Sequence, residues 1–98
     1  MKIYIAGKIT NYPEYQQHFA RAEKRLHDAG HITMNPATLA QNEGFNHADY
    51  MHVCFAMIDV CDAVYMLKGW QSSKGACMEY EYARKHSKII MFEGEVME

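Results

Sequence analysis

Glu79 is the residue around which chemistry can be assembled in this chain. It stands four residues after Gly75 in the stretch Gly69-Trp70-Gln71-Ser72-Ser73-Lys74-Gly75-Ala76-Cys77-Met78-Glu79. The stretch begins where the apolar run Ala63-Val64-Tyr65-Met66-Leu67 ends, and it passes through small and polar residues into a helical pattern. A strand's carboxyl end, a serine-rich loop and a helix N-terminus together bind anions, because free backbone N–H groups and the helix dipole point at one spot. A carboxylate one turn inside that helix sits beside whatever the loop holds: it is either an ordinary acidic residue favoured in the first turns of a helix, or a nucleophile toward part of a bound nucleotide or nucleoside. Glu81 lies on the same helix about 200° further round, so only one of the two can face the crevice.

The neighbours of Glu79 each have two uses. Ser72 and Ser73 are natural N-caps of the helix, and their hydroxyls could equally hold a phosphate or a sugar hydroxyl. Gly75 lets the backbone approach a ligand or allows tight packing. Lys74 could add charge to the site or stay solvated. Trp70 could stack on a base or cover the sheet edge. In a second loop, Gly7 permits close approach, and Lys8 and Thr10 could donate to an anionic or sugar group. The G-x-G-x-x-G, G-x-x-x-x-G-K-[ST] and G-x-S-x-G patterns are absent, which disfavours dinucleotide binding, P-loop hydrolysis and a serine-hydrolase elbow. The six histidines form no H-E-x-x-H pair, and no metal site is expected. The hydroxyls of Tyr4, Tyr65, Tyr80 and Tyr82 read as the polar ends of packing groups.

The elements that must position these residues follow from period. The 98 residues suit one domain, 1–98, with a real core. A net charge of −2 gives no electrostatic footprint for a nucleic acid polymer, so an anionic ligand must be held by local donors. Three cysteines without a C-x-x-C pair argue against a disulfide framework and for a reducing, cytoplasmic setting. Cys54 and Cys61, seven apart, read as small core residues on one helix face. No targeting segment or membrane span is expected, since no apolar run is long enough.

Residues 2–6 read as a buried strand. Tyr15, Phe19, Ala22, Leu26 and Ala29 form one helical stripe over about 13–29, with Pro13 in the first turn and Gly30 as the stop. A short strand follows at 31–34, ended by Asn35-Pro36. Residues 37–47 show no period and read as a long binding loop or lid. A second helix spans about 48–60, with Met51, Cys54 or Phe55, and Ile58 inward. A strand at 63–67, a helix at about 74–86, a strand at 89–92 and an acidic tail complete the chain. This β-α-β-α-β-α-β alternation predicts a small doubly wound, flavodoxin- or Rossmann-like parallel sheet of about four strands in order 2-1-3-4, with helices on both faces. Ligands bind such sheets at the switch point, here between the first and third strands, which brings the Gly7 and Gly69–Gly75 loops together.

The opening Met1-Lys2-Ile3-Tyr4-Ile5-Ala6-Gly7-Lys8-Ile9-Thr10, the Asn35-Pro36 pair, the run Cys61-Asp62-Ala63-Val64-Tyr65-Met66-Leu67 and the Trp-x-x-Ser-x-Gly-Ala-x-x-Glu element from Trp70 to Glu79 resemble the nucleoside 2-deoxyribosyltransferase-like superfamily, nearest its small DUF4406 members of phages and bacteria. The resemblance covers nearly the whole chain. It implies cleavage or transfer at the N-glycosidic bond of a (deoxy)nucleoside or its 5′-monophosphate, with Glu79 rather than Glu81 as nucleophile on C1′. It assigns Ser73 and the Gly7-Lys8-Ile9-Thr10 loop to phosphate, and adds Asn35, Trp70, Ser72 and Gly75 to the substrate site. It implies a homo-oligomer and no cofactor. Where relatives carry an aspartate about two turns before the one that opens the third strand, this chain has Cys54. The alternative expectation is therefore an inactive nucleotide-binding or sequestering module on the same fold.

Overall fold

A computed structural model describes residues 1–39 and 43–95 of the chain. Residues 40–42 of the loop or lid expected over 37–47, and residues 96–98 of the expected acidic tail, lie outside the described residues. The order of elements is β1 (Lys2–Ala6), α1 (Tyr15–Asp28), β2 (Ile32–Met34), α2 (His47–Asp59), β3 (Ala63–Met66), α3 (Lys74–Lys85) and β4 (Ile89–Phe92). Short 3-10 turns at Pro36–Thr38 and Trp70–Ser72 precede α2 and α3. All strand pairs are parallel and the sheet order is β2-β1-β3-β4, as the alternation predicts.

Strand alternation divides the core into two layers. Ile3 and Ile5 of β1, with Ala63, Tyr65 and Leu67, point to the face that α1 covers with Phe19, Ala22 and Leu26. Tyr4 and Ala6, with Val64 and Met66, point to the opposite face, covered by Cys54 and Ile58 of α2 and by Ala76 and Ala83 of α3. The register Tyr4↔Val64 and Ala6↔Met66 places the ends of β1 and β3 side by side. Their outgoing loops turn to opposite faces, which opens a crevice at the switch point.

The helix ends differ from expectation in detail. Pro13 and Glu14 lie in a turn before α1, held by Tyr12 N–H to Ile9 O at 3.2 Å and Tyr15 N–H to Tyr12 O at 3.1 Å, so the helix starts two residues later than Pro13 suggests. Gly30 takes φ +90 and ends α1 in a Schellman motif: Gly30 N–H bonds His27 O at 2.9 Å and His31 N–H bonds Leu26 O at 3.0 Å. Helix α2 opens on a capping box that periodicity did not reveal, in which Asn46 and Asp49 each accept the other's backbone N–H at 2.9 Å. That helix ends at Asp59, so Cys61 is buried beyond it and does not share a helix face with Cys54.

His18 is a buried polar residue that the α1 stripe did not anticipate. Its Nε2 lies 2.8 Å from Glu93, its Nδ1 lies 3.0 Å from the Tyr12 hydroxyl, and Glu93 also accepts the Lys68 N–H at 2.7 Å. This chain of contacts ties the loop after β1 to the ends of β3 and β4. Glu93→Ala strips the acceptor from two donors and is expected to destabilise the fold by about 2 kcal/mol. Urea denaturation of the variant checks this, and an unchanged midpoint would refute it.

Candidate functional site

A cavity of about 790 Å³ opens at the carboxyl ends of β1 and β3. Three pieces build its wall: the loop Gly7–Asn11, the segment Ser72–Ala76 that enters α3, and the first turns of α2 with His47, Met51 and Cys54. Glu79 reaches it from one turn further along α3. Of the residues singled out in the sequence, Gly7, Lys8, Thr10, Ser72, Ser73, Gly75 and Glu79 converge here.

Asn35 and Trp70 are not brought to this cavity. Asn35 caps the turn at Pro36–Thr38, its Oδ1 accepting the Ala37 N–H at 2.9 Å. Trp70 stacks on Tyr80 at 4.8 Å between ring centroids and lies against Phe92 at 6.3 Å. The 3-10 turn Trp70–Ser72 rolls the indole toward β4 while Ser73 stays on the cavity side. Trp70 thus covers the sheet, the second of its two readings.

The two serines are engaged by the backbone. Ser73 is the N-cap of α3 and its Oγ accepts the Ala76 N–H at 3.1 Å, which leaves its own O–H free to donate elsewhere. Ser72 Oγ donates to Gly69 O at 2.9 Å. Gly7 is close to protein: a Cβ there would stand 2.9 Å from Leu67 Cδ1 and 3.0 Å from Leu67 Cβ. At Gly75 a Cβ would stand 3.4 Å from His47 Nε2 and from Met51 Sδ, so α2 and α3 meet over this glycine.

Glu79 and Glu81 take opposite environments, as the helical angle requires. Glu81 is not buried and faces Arg84 at 3.6 Å. Glu79 is 6% exposed, and the Tyr4 hydroxyl donates to its Oε2. The Cys54 thiol lies beside the same carboxyl and, like the Tyr4 hydroxyl, favours its ionised form. Burial raises the Glu79 carboxyl from 4.5 to about 7, against the opposing pull of these two donors. Burial, and then the Glu79 charge, push the Cys54 thiol up to about 11, so it stays protonated. The Tyr4 hydroxyl is raised well above its ordinary value by burial and then by Glu79.

Tyr4, read from sequence as a packing group, is therefore the partner of Glu79. The signal that could have found it is strand alternation, which puts Tyr4 and Ala6 on the face that α3 covers. Cys54 occupies the place where the resemblance expects an aspartate, and it meets Glu79 with a thiol instead. Among the described residues, no group of three or more His, Cys, Asp or Glu side chains is arranged to hold a metal ion. No helix among them is long and apolar enough to cross a membrane.

A buried carboxyl raised to about 7 and hydrogen-bonded beside an open crevice marks Glu79 as the candidate reactive group. Comparison with solved structures finds the same architecture in a 2-deoxyribosyltransferase from the psychrotolerant bacterium Bacillus psychrosaccharolyticus, at a TM-score of 0.73 and 22% identity over 100% of this chain and 77% of that one. It also finds a 2-desoxiribosyltransferase from Leishmania mexicana, at a TM-score of 0.70 and 21% identity. That match covers 93% of this chain and 62% of the Leishmania protein's length. At these identities the likeness is one of fold. No curated protein matches the sequence. The family described as a domain of unknown function, DUF4406, matches residues 1–92, so the chain belongs to that family and carries the fold of the 2-deoxyribosyltransferases.

Proposed function

We propose that the cavity binds a nucleoside or deoxynucleoside 5′-monophosphate and that Glu79 opens its N-glycosidic bond. The observation that carries this reading is the buried Glu79 carboxyl at the cavity, held by Tyr4 and Cys54 and raised to about 7. In its ionised form one carboxylate oxygen attacks C1′ of the sugar while the bond from C1′ to the base nitrogen breaks. The electron pair of that bond leaves with the base, which takes up a proton, and a glycosyl ester of Glu79 remains. Water or a second base then displaces the carboxylate from C1′, giving hydrolysis or transfer. Lys8, Thr10 and Ser73, with the head of α3, supply donors for a sugar hydroxyl or a phosphate.

The test is release of free base from deoxynucleosides and their 5′-monophosphates, with covalent glycosyl-enzyme sought by intact mass. Base release by the native protein and none by Glu79→Gln supports the reading, and equal slow release by both removes it. Because the nucleophile must be ionised, kcat/KM is expected to fall about tenfold per pH unit below about 7 and to level off above it. A profile flat between pH 5 and 8 (roughly the range His and a raised Glu span) would exclude Glu79 as the titrating nucleophile.

A second reading, a nucleotide-binding module without turnover, is favoured by one observation. The group beside Glu79 is the Cys54 thiol, raised to about 11, and it offers no second carboxylate. Calorimetric binding of a nucleotide without base release identifies that case. Self-association of the chain is expected, and a sedimentation mass of one chain would refute it. The free cysteines fit a cytoplasmic setting.

A further inference from the structure

We infer that Phe45 recognises the base, its ring stacking on the planar heterocycle of a ligand in the cavity. This rests on the reading of the cavity as a nucleoside site. Phe45 is 62% exposed, and among the described residues it is the exposed large apolar side chain that lines the cavity. Its backbone is set on both sides. Gly44 turns at φ +94 before it, and the Asn46–Asp49 capping box fixes the start of α2 directly after it. Phe45 thus occupies the position before the N-cap, and Tyr50 the fourth helical position. Both side chains line the cavity, and most of the Phe45 ring is still left open.

Of the other aromatic candidates, Tyr50 also lines the cavity but is partly buried, whereas Trp70 and Tyr15 are engaged elsewhere. Trp70 is stacked on Tyr80, away from the cavity. Tyr15, which lines the cavity, is set edge-on against Phe19 at 6.4 Å and packs on the α1 side of the core. A phenyl ring has no hydrogen-bonding edge, so it reads the π-face that every base presents. Phe45 is therefore expected to favour ligands with an aromatic base over the bare sugar phosphate, and to discriminate little between purine and pyrimidine.

Calorimetry in a Glu79→Gln background, where turnover is removed, tests this with deoxyadenosine 5′-monophosphate, thymidine 5′-monophosphate and deoxyribose 5-phosphate. Phe45→Ala is expected to weaken both nucleotides about tenfold and to leave deoxyribose 5-phosphate unchanged. Phe45→Trp is expected to keep nucleotide affinity, and Phe45→Leu to lose it nearly as the alanine variant does. Melting temperatures confirm that the variants fold. Nucleotide affinity that Phe45→Ala leaves unchanged overturns the inference, as does an equal loss for deoxyribose 5-phosphate. If the protein with Phe45 in place binds none of the three, the nucleoside reading itself falls, and the base contact with it.

Discussion

Glu79→Gln is expected to abolish base release, by about 10³-fold or more, while making the protein more stable at pH 8. The opposite signs have one cause. Burial makes the ionised carboxylate costly in the folded state, and that same ionised form is the nucleophile. The carboxyl is raised from 4.5 in water to about 7 in the fold. Below 4.5 both folded and unfolded chains hold the proton and the group contributes nothing. Between 4.5 and about 7 the unfolded chain releases the proton and the folded chain keeps it, so stability falls as pH rises. Above about 7 the penalty is complete, about 3 kcal/mol at 1.36 kcal/mol per pH unit. Glutamine escapes that penalty and can still accept the Tyr4 O–H through its amide oxygen. The melting temperature of Glu79→Gln should therefore exceed that of the native protein by roughly 15 °C at pH 8 and match it at pH 4. Identical melting at pH 8 would mean that Glu79 carries no buried charge.

Gly7→Ala is expected to destabilise the fold by about 2 kcal/mol and to weaken ligand binding with it. The added Cβ would lie 2.9 Å from Leu67 Cδ1, 3.0 Å from its Cβ and 3.1 Å from its Cγ. Leu67 is fully buried against the α1 layer and cannot swing away. The end of β1 must then move from β3, where the Leu67 N–H bonds Ala6 O at 2.8 Å, and the loop carrying Lys8 and Thr10 moves with it. Leu67→Val should relieve part of the clash, so the double variant should cost less than the sum of the two single ones. Chemical denaturation of all four proteins measures that coupling, and strict additivity would show that Gly7 and Leu67 do not collide. Gly75 gives the contrast. Its added Cβ would meet the flexible ends of His47 and Met51 at 3.4 Å, a distance they can accommodate.

Most elements were legible because their signals are local. The 3.6 period of Phe19, Ala22 and Leu26 placed α1, and unbroken apolar runs placed the strands. Right-handed crossovers then left few sheet orders, and 2-1-3-4 is the one observed. The start of α1 was misplaced because Pro13 is equally at home in the turn before a helix. The lining of the cavity was legible where topology alone sufficed. Gly7, Lys8, Thr10, Ser73, Gly75 and Glu79 lie at the two strand ends that the switch point must bring together. Asn35 and Trp70 lie outside the cavity lining for a different reason. Each lies near the sheet's carboxyl edge, but a side chain's direction there depends on a turn, and the two 3-10 turns send them to a cap and to an aromatic stack.

From sequence alone came the fold class, the crevice and the choice of Glu79's loop and helix, since period and strand order rest on neighbours along the chain. The environment of Glu79 was settled by tertiary structure alone. Its hydrogen bond to Tyr4 spans 75 residues, and the thiol of Cys54 joins it from a third element. Desolvation is a property of everything packed around a group. Whether Glu79 is an ordinary acidic residue near a helix start or a buried carboxyl near 7 is therefore decided only when β1, α2 and α3 close over it.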